Sequence, residues 1–408
     1  MAPYMPSILF INRVYPPADG ATGRVLEYVA EGFVRAGWEV SVLTTVAGGE
    51  KAGTTVRHGV RIIRCGVFFS KTTLLARALG YALMIPLLAL RALLLPRADL
   101  AVVKTDPPML LVLGPLLRWL KGSRLIHWAQ DLYPEVAEEA GVLRERGSVA
   151  VMLRTISTGS LHSYDRIVAV GRCMVERMVA RGIAREKICV IPNTGIEQEI
   201  RQIDHSVNPF RSRHGLGECF VVEYSGNMGR AHEFETLLSA AELLQEQGES
   251  GIRFLLIGRG PGEGILREEV QRRGLTNLLF LPPQPQSELS ESLGAGDLHL
   301  VTMRTGMSGL VVPSKFYGVM AAERPALFIG PADSEVARVI DEHEVGAVIA
   351  PGDAAGLVEA ILAYRQTPER RVLAGRKARA LLTEESALER FIATASETLS
   401  HSGLSLER

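Results

Sequence analysis

ILFINRVYPPADGATGRVLEYVAEGFVRAGWEVSVL, residues 8 to 43, decides the fold class of the chain that carries it. Ile8 to Ile11 is a short apolar run suited to a strand buried on both faces, and Pro16 to Gly23 is turn chemistry. Arg24 to Ala36 places Val25, Val29 and Phe33 on one helical face before Gly37 stops the helix. Trp38 to Leu43 then alternates as a second strand. A strand, helix and strand so closely joined predict a βαβ unit with a right-handed crossover in a parallel sheet. The loop PPADGATG then lies at a strand's carboxyl end, where open α/β sheets bind ligands. Gly20 and Gly23 suit close backbone approach to a ligand, with a plain connection as the other reading.

The alternation continues downstream. Leu100 to Val103 and Leu125 to Ala129 read as strands that end in Lys104-Thr105-Asp106-Pro107-Pro108 and Gln130-Asp131-Leu132. Asp106 and Asp131 either share a cleft or cap the helices that follow, and His127, two residues inside its strand, reads as a hydrogen-bonded core histidine. Arg166 to Val170 and Ile188 to Pro192 extend the series, and Glu197 to Glu218 has the mixed polarity of a linker. A second series starts at Phe220, with strands at Ile252 to Ile257, Leu278 to Leu281, Leu298 to Thr302, Ala326 to Ile329 and Ala347 to Ile349. Gly258-Arg259-Gly260-Pro261-Gly262 lacks the full dinucleotide fingerprint and follows the second strand of its series rather than the first. At 408 residues the chain exceeds one core. The expectation is two Rossmann-like α/β domains, 1 to 205 and 206 to 385, whose parallel sheets face each other across a cleft, and a final helix in 386 to 408 returning to the first domain.

Lys plus Arg and Asp plus Glu both total 45, a balance that gives nucleic acid no footing as a partner. Cys65, Cys173, Cys189 and Cys219 show no paired spacing, so neither a zinc site nor a disulfide scaffold is expected, and reduced thiols point to the cytoplasm. The start MAPYMPSILFIN lacks the pattern of a secretory signal. The segment 72 to 96 is the most apolar in the chain, but Pro86 and Arg91 interrupt it and a bilayer span needs about 20 apolar residues. It reads either as core helix or as a helix against a membrane surface, with Lys71, Arg77, Arg91 and Arg97 near the headgroups.

Gly306 to Pro325, GMSGLVVPSKFYGVMAAERP, gathers a glycine loop, a lysine and a helix start. Ser314 suits an N-cap, and Phe316, Tyr317, Met320 and Ala321 give the helix an apolar face. Free N–H groups at that start beside the Lys315 ammonium suit a phosphate or diphosphate, against the plainer reading of an ordinary loop and helix.

YSGNMGRAHEFETLLSAAELL, FLLIGRGP, VVPSKFYGVMAAERPALFIG and SEVARVI resemble the family 4 retaining glycosyltransferases of GT-B fold, most closely bacterial enzymes similar to fucosaminyltransferases of surface-polysaccharide assembly. DRIVAVGRCMVERMVARG and ICVIPNTGIE extend the resemblance over nearly the whole chain. It implies a nucleotide-sugar donor held by the C-terminal domain and a lipid-linked or saccharide acceptor held by the N-terminal one. The nucleotide-sugar is a substrate, and no cofactor or metal is implied, in keeping with the lack of an Asp-x-Asp motif. The implied donor residues are Gly20, Asn227, Gly229, Gly306, Gly309, Ser314, Lys315 and Glu335, with Arg230 and Lys315 facing the leaving diphosphate. Asp106, His127 and Asp131 fall on the acceptor side, and Asp131, Lys315 and Arg230 are the catalytic candidates. The implied setting is the cytoplasm, with peripheral contact at the inner membrane.

The chain departs from the family pattern. The two glutamates of the E-x7-E element fall on Leu310 and Gly318, which leaves Glu335 as a candidate for the ribose or sugar. The arginine and lysine of R-x4-K fall on Asn227 and His232, Glu323 occupies a position usually held by glycine, and Thr105 stands where many relatives carry a histidine. Besides hexosyl transfer, a nucleotide-sugar 2-epimerase of the same architecture and a non-catalytic sugar-nucleotide-binding subunit fit such a chain.

Overall fold

The computed structural model describes residues 4–18, 20–46, 51–66, 74–194, 199–229, 231–383 and 386–400. Contacts divide the chain into two compact units, the first holding residues 1–195, 309–311 and 386–408 and the second 196–308 and 312–385.

In the first unit the strands are Ser7–Ile11 (β1), Glu39–Thr45 (β2), Gly53–Arg57 (β3), Val60–Cys65 (β4), Leu100–Val103 (β5), Arg124–Ala129 (β6), Arg166–Ala169 (β7) and Ile188–Val190 (β8). Its helices are Ala21–Arg35 (α1), Leu74–Leu94 (α2), Leu113–Lys121 (α3), Glu135–Glu139 (α4), Ser148–His162 (α5) and Arg172–Ala180 (α6). The sheet order is β3-β4-β2-β1-β5-β6-β7-β8, parallel throughout except that β3 runs antiparallel to β4. This edge hairpin was not anticipated: β3 is exposed on both faces and lacks the apolar alternation that announces a strand. The predicted inward face of α1 is buried, with Val25, Val29 and Phe33 at 3% exposure or less. Phe33 packs edge-on against Phe10 of β1 at 5.6 Å, and burying such a ring contributes about 1.5–3 kcal/mol.

The second unit holds Pro209–Arg213 (α7), Phe220–Ser225 (β9), Glu235–Glu246 (α8), Ile252–Ile257 (β10), Glu263–Arg272 (α9), Leu278–Leu281 (β11), Leu289–Leu293 (α10), Leu298–Thr302 (β12) and Lys315–Ala321 (α11). Ala326–Ile329 (β13), Glu335–His343 (α12), Gly346–Ile349 (β14), Ala354–Gln366 (α13) and Pro368–Thr383 (α14) complete it. Its six strands are all parallel, in the order β11-β10-β9-β12-β13-β14. Within the stretch read as a linker, Asn208 caps α7 by accepting from the Phe210 N–H, and Arg211 is buried beside Asp297. The last helix, Ala387–Ser400 (α15), belongs to the first unit, where Phe391 lies 4.8 Å from the Trp128 ring and 5.9 Å from Phe33.

Each sheet reverses its strand order once, between β1 and β5 in the first unit and between β9 and β12 in the second. In open α/β sheets, ligands bind beyond the carboxyl ends at such a reversal.

The apolar segment forms α2, with Pro86 inside the helix. Met84, Leu88, Ala92 and Leu95 are buried along one stripe, while Leu83, Leu90 and Leu94 are exposed on another. The neighbouring α3 adds Trp119, 81% exposed, and Leu120. The core reading therefore holds for one face of this segment, and the other face is exposed. No helix among the described residues is long and apolar enough to cross a membrane. Lys71 and the side chain of Arg77 lie outside the described residues.

Candidate functional site

At the reversal in the second sheet, the loop after β9 meets the first residue of α11. The Lys315 ammonium lies 3.9 Å over the Tyr224 ring and donates a hydrogen bond to its hydroxyl, which in turn donates to the Asn227 carbonyl at 2.7 Å. Gly226 (φ 147°) brings its backbone so close that an added Cβ would stand 3.2 Å from Lys315 Cε. Burial pushes the Lys315 ammonium well below its usual range, and no carboxylate among the described residues forms an ion pair with it. A desolvated cation without an anion is an incomplete electrostatic arrangement, which a bound anion completes.

The described residues of the loop Gly226 to His232 add backbone groups and no cation. His232 donates from Nδ1 to the Thr302 carbonyl at 2.8 Å, and burial followed by the neighbouring Lys315 holds its pKa down at about 4. A neutral imidazole does not replace the lysine that the family pattern has there. Arg230, named as a catalytic candidate, lies outside the described residues. Gly229 and His232 line a pocket of about 400 Å³ with Phe234, Pro261 and Arg304, so this side of the loop opens on a hollow.

The glycines after β10 serve the same loop. A Cβ on Gly258 would fall 2.0 Å from the Gly226 carbonyl oxygen, and one on Gly260 would fall 2.4 Å from that of Met228. Together with hydrogen bonds from Met228 N–H to the Arg259 carbonyl and from Gly262 N–H to the Met228 carbonyl, both 2.9 Å, they lock two loops backbone to backbone. Sequence reasoning set this glycine run aside as an imperfect dinucleotide loop, whereas its role is packing beneath the site.

Other expected donor residues are placed differently. Ser314 precedes α11 as expected, but its side chain makes no capping hydrogen bond, because its backbone is already helical (φ −61°, ψ −24°). Gly306 belongs to the second unit. Gly309 (φ 71°) belongs to the first, where an added Cβ would lie 2.7 Å from the Cys173 carbonyl oxygen, so close packing already requires a glycine. Gly20 caps α1 with φ 156°, and Gly20 and Gly23 both pack on Val14. Glu335 occupies the first turn of α12 behind the buried Ser334, which accepts the Ala337 N–H.

At the reversal in the first sheet, Arg13, Lys104, Asp106 and Asp131 gather after β1, β5 and β6. Arg13 pairs with Asp106 at 2.6 Å, so Asp106 is an ion-pair partner rather than a helix cap. Asp131 does not cap α4 either; its backbone bridges Val311, and the next N–H, of Leu132, donates to the Leu310 carbonyl. Asp131 is half-buried, and desolvation followed by the nearby Asp106 lifts its carboxyl to about 6. His127 stays out of this group: it is 2% exposed, bonded to the Val103 carbonyl at 2.9 Å and kept neutral by burial. Lys104 was missed; it is wholly buried, which sequence reading does not foresee for a lysine at a strand end.

Known proteins resemble both halves of the chain. Residues 20–194 match the model of a glycosyl transferase 4-like domain and residues 219–366 that of glycosyl transferases group 1. The chain is 31% identical to a probable glycosyltransferase, WbjE of Pseudomonas aeruginosa, over 65% of its own length and 66% of the relative's. It is 27% identical to a putative colanic acid biosynthesis glycosyl transferase, WcaI of Escherichia coli, over 68% of its length and 69% of that protein. Among solved structures, sucrose-phosphate synthase of Thermosynechococcus elongatus superposes with a TM-score of 0.78 at 17% identity, covering 97% of this chain and 100% of that one. Anabaena HepE superposes with a TM-score of 0.72 at 16% identity, covering 98% and 100%. With both domain models matched in order across most of its length, the chain belongs to the GT-B glycosyltransferases that join a glycosyl transferase 4-like domain to a group 1 domain.

Proposed function

We propose that this chain transfers a sugar from a nucleoside diphosphate sugar to a saccharide or lipid-linked saccharide acceptor in surface-polysaccharide assembly. The observation that carries the reading is Lys315, a desolvated ammonium held by Tyr224 against the Gly226 loop with no carboxylate among the described residues to neutralise it. A nucleoside diphosphate gains negative charge as it leaves the anomeric carbon, and a fixed cation beside backbone N–H groups stabilises that charge. In the step, the acceptor hydroxyl oxygen bonds to the anomeric carbon as the carbon–diphosphate bond breaks. The bonding pair passes to the diphosphate oxygen, and a diphosphate oxygen of the same face takes the hydroxyl proton, so configuration is retained and no protein nucleophile is consumed. The role needs no metal, because Lys315 and the loop carry the charge. HepE, solved with UDP and glucose, and WcaI, described for colanic acid biosynthesis, support the donor class and the pathway class. The exposed leucines of α2 and Trp119 of α3 support peripheral contact with a membrane that bears the acceptor.

Thermal shift with UDP, GDP, dTDP and CMP sugars tests the donor class, since specific binding raises the melting temperature. Incubation with the donor alone separates transfer from 2-epimerisation, which needs no acceptor. A donor-only change in the sugar overturns the transferase reading.

A further inference from the structure

At the amino ends of the strands in the second sheet, away from Lys315, a second group of charged side chains surrounds the stretch Ile203 to His205, near the start of the second unit. Arg324, just past the end of α11, donates from Nη2 to the Ile203 carbonyl at 3.2 Å, the Gly294 carbonyl at 3.1 Å and the His205 imidazole Nε2 at 3.1 Å. A guanidinium has donors only, so Nε2 accepts and the ring proton sits on Nδ1. Nδ1 faces Asp297 Oδ1 across 3.6 Å, too wide a gap for a hydrogen bond, and Arg371 of α14 stands 3.5 Å from the same oxygen. Asp297 is fixed in place: it is 5% exposed, and its other oxygen accepts the Val221 N–H at 2.9 Å beside Arg211 at 3.5 Å. His205, Asp297, Arg324 and Arg371 line a cavity of about 200 Å³. The half-buried ring therefore has room to turn between two partners, one that bonds it only when neutral and one that attracts it when charged.

We infer that His205 is a pH-operated latch: as a neutral imidazole it closes the stretch Ile203 to His205 onto Arg324, and on taking a proton from solvent it turns to Asp297 and loosens that stretch. Protonation converts Nε2 from acceptor to donor, so two donors and two positive charges meet where a hydrogen bond stood. The inference needs no ligand and stands apart from the transferase reading.

The charged groups facing His205 among the described residues are Asp297 before β12, Arg324 after α11 and Arg211 of α7, with Arg371 and Glu323 completing the cavity wall. Asp204 beside it is already engaged by the Ser206 N–H and hydroxyl at 2.8 and 2.6 Å, and His299 of β12 is kept neutral by burial. Burial is the largest influence on His205 and holds its pKa below the ordinary histidine value; Asp297 and the Gly296 backbone oppose it, while Arg324 and Arg211 reinforce it. A base depressed in this way binds its proton more readily once released. The latched state is thus fully stable above about 6.5 and loses stability as pH falls below that value, by at most about tenfold per pH unit for one proton.

The test is hydrogen–deuterium exchange of the full chain, read by mass spectrometry at pH 5, 6, 7 and 8 and corrected for the intrinsic pH dependence of exchange. In wild type, protection of peptides covering 200–210 should fall by about threefold or more from pH 7 to pH 5, while the β10 peptide covering 252–257 holds steady. His205→Gln carries an amide oxygen that accepts from Arg324 at any pH, and its protection over 200–210 should stay constant within about twofold. Arg324→Met removes the donor and should leave that stretch equally exposed to exchange at pH 5 and pH 7. A wild-type stretch whose protection ignores pH overturns the inference. So does an equal loss in His205→Gln, or a loss that the β10 peptide shares.

Discussion

The Lys315 ammonium and the Tyr224 hydroxyl are hydrogen-bonded across the reversal of the second sheet, and the Tyr224 ring lies beneath the same cation at 3.9 Å. One side chain of β9 thus both orients the charge and ties it, through the Asn227 carbonyl, to the glycine loop.

Tyr224→Phe keeps the ring and removes the tie. Donor KM should rise by about tenfold, the worth of one hydrogen bond to a charged group, with kcat changed far less. Steady-state kinetics with a saturable acceptor check this, and a KM within twofold of wild type would show that the hydroxyl does not position Lys315.

Gly260→Ala places a methyl 2.4 Å from the Met228 carbonyl oxygen, so the two loops must part. Donor affinity should fall by about tenfold or more, since a displacement of this size misplaces the binding backbone. Gly264→Ala, in α9 with no atom within 4 Å of the added methyl, is the control. It should leave affinity unchanged and gain up to about 1 kcal/mol in stability from helix propensity. Equal affinities for the two variants would remove the loop from the site.

Glu323 holds the left-handed conformation, φ 56°, after α11. Glu323→Gly should raise stability by about 0.5 kcal/mol, the relief of left-handed strain less the entropy glycine adds to the unfolded chain. Gly375→Ala should do the reverse despite its place in α14, because the new methyl would sit 2.1 Å from the Glu323 carbonyl oxygen. Chemical denaturation reads both signs, and destabilisation by Glu323→Gly would contradict the strain argument.

Leu90→Glu, Leu94→Glu and Trp119→Glu together charge the exposed stripe of α2 and α3 without touching the buried stripe of Met84, Leu88 and Ala92. Co-sedimentation with anionic vesicles should fall by about tenfold while far-ultraviolet dichroism is unchanged. Equal sedimentation of the triple variant and wild type would place membrane contact elsewhere.

Much of the fold was legible because buried parallel strands are short apolar runs between glycine-rich turns. Ile252 to Ile257 matches β10 residue for residue, and Leu278 to Leu281 matches β11. The hairpin β3–β4 was not, since an exposed edge strand such as GTTVR has no face to pattern. At the site, the position and burial pattern of α11 followed from its apolar spacing, and Lys315 from its place at the helix start. What escaped reading depends on contacts distant in sequence. Glycines at 258 and 260 are explained by a carbonyl some thirty residues upstream. Lys104 is buried because three strands and α1 close around it, a fact no local pattern encodes. Gly309 looked like part of a donor loop until its packing against Cys173 supplied a reason of its own.

The most direct test of the central claim is calorimetric titration of wild type and Lys315→Met with whichever UDP, GDP or dTDP sugar binds best. Because burial depresses the Lys315 pKa in the folded state, the ammonium costs stability below its unfolded pKa, and the methionine variant without ligand should melt higher at neutral pH. Its donor affinity should nevertheless fall by about 10- to 100-fold, the loss of a charged hydrogen-bonding partner for the diphosphate. A folded Lys315→Met chain that binds the donor as tightly as wild type would contradict the account.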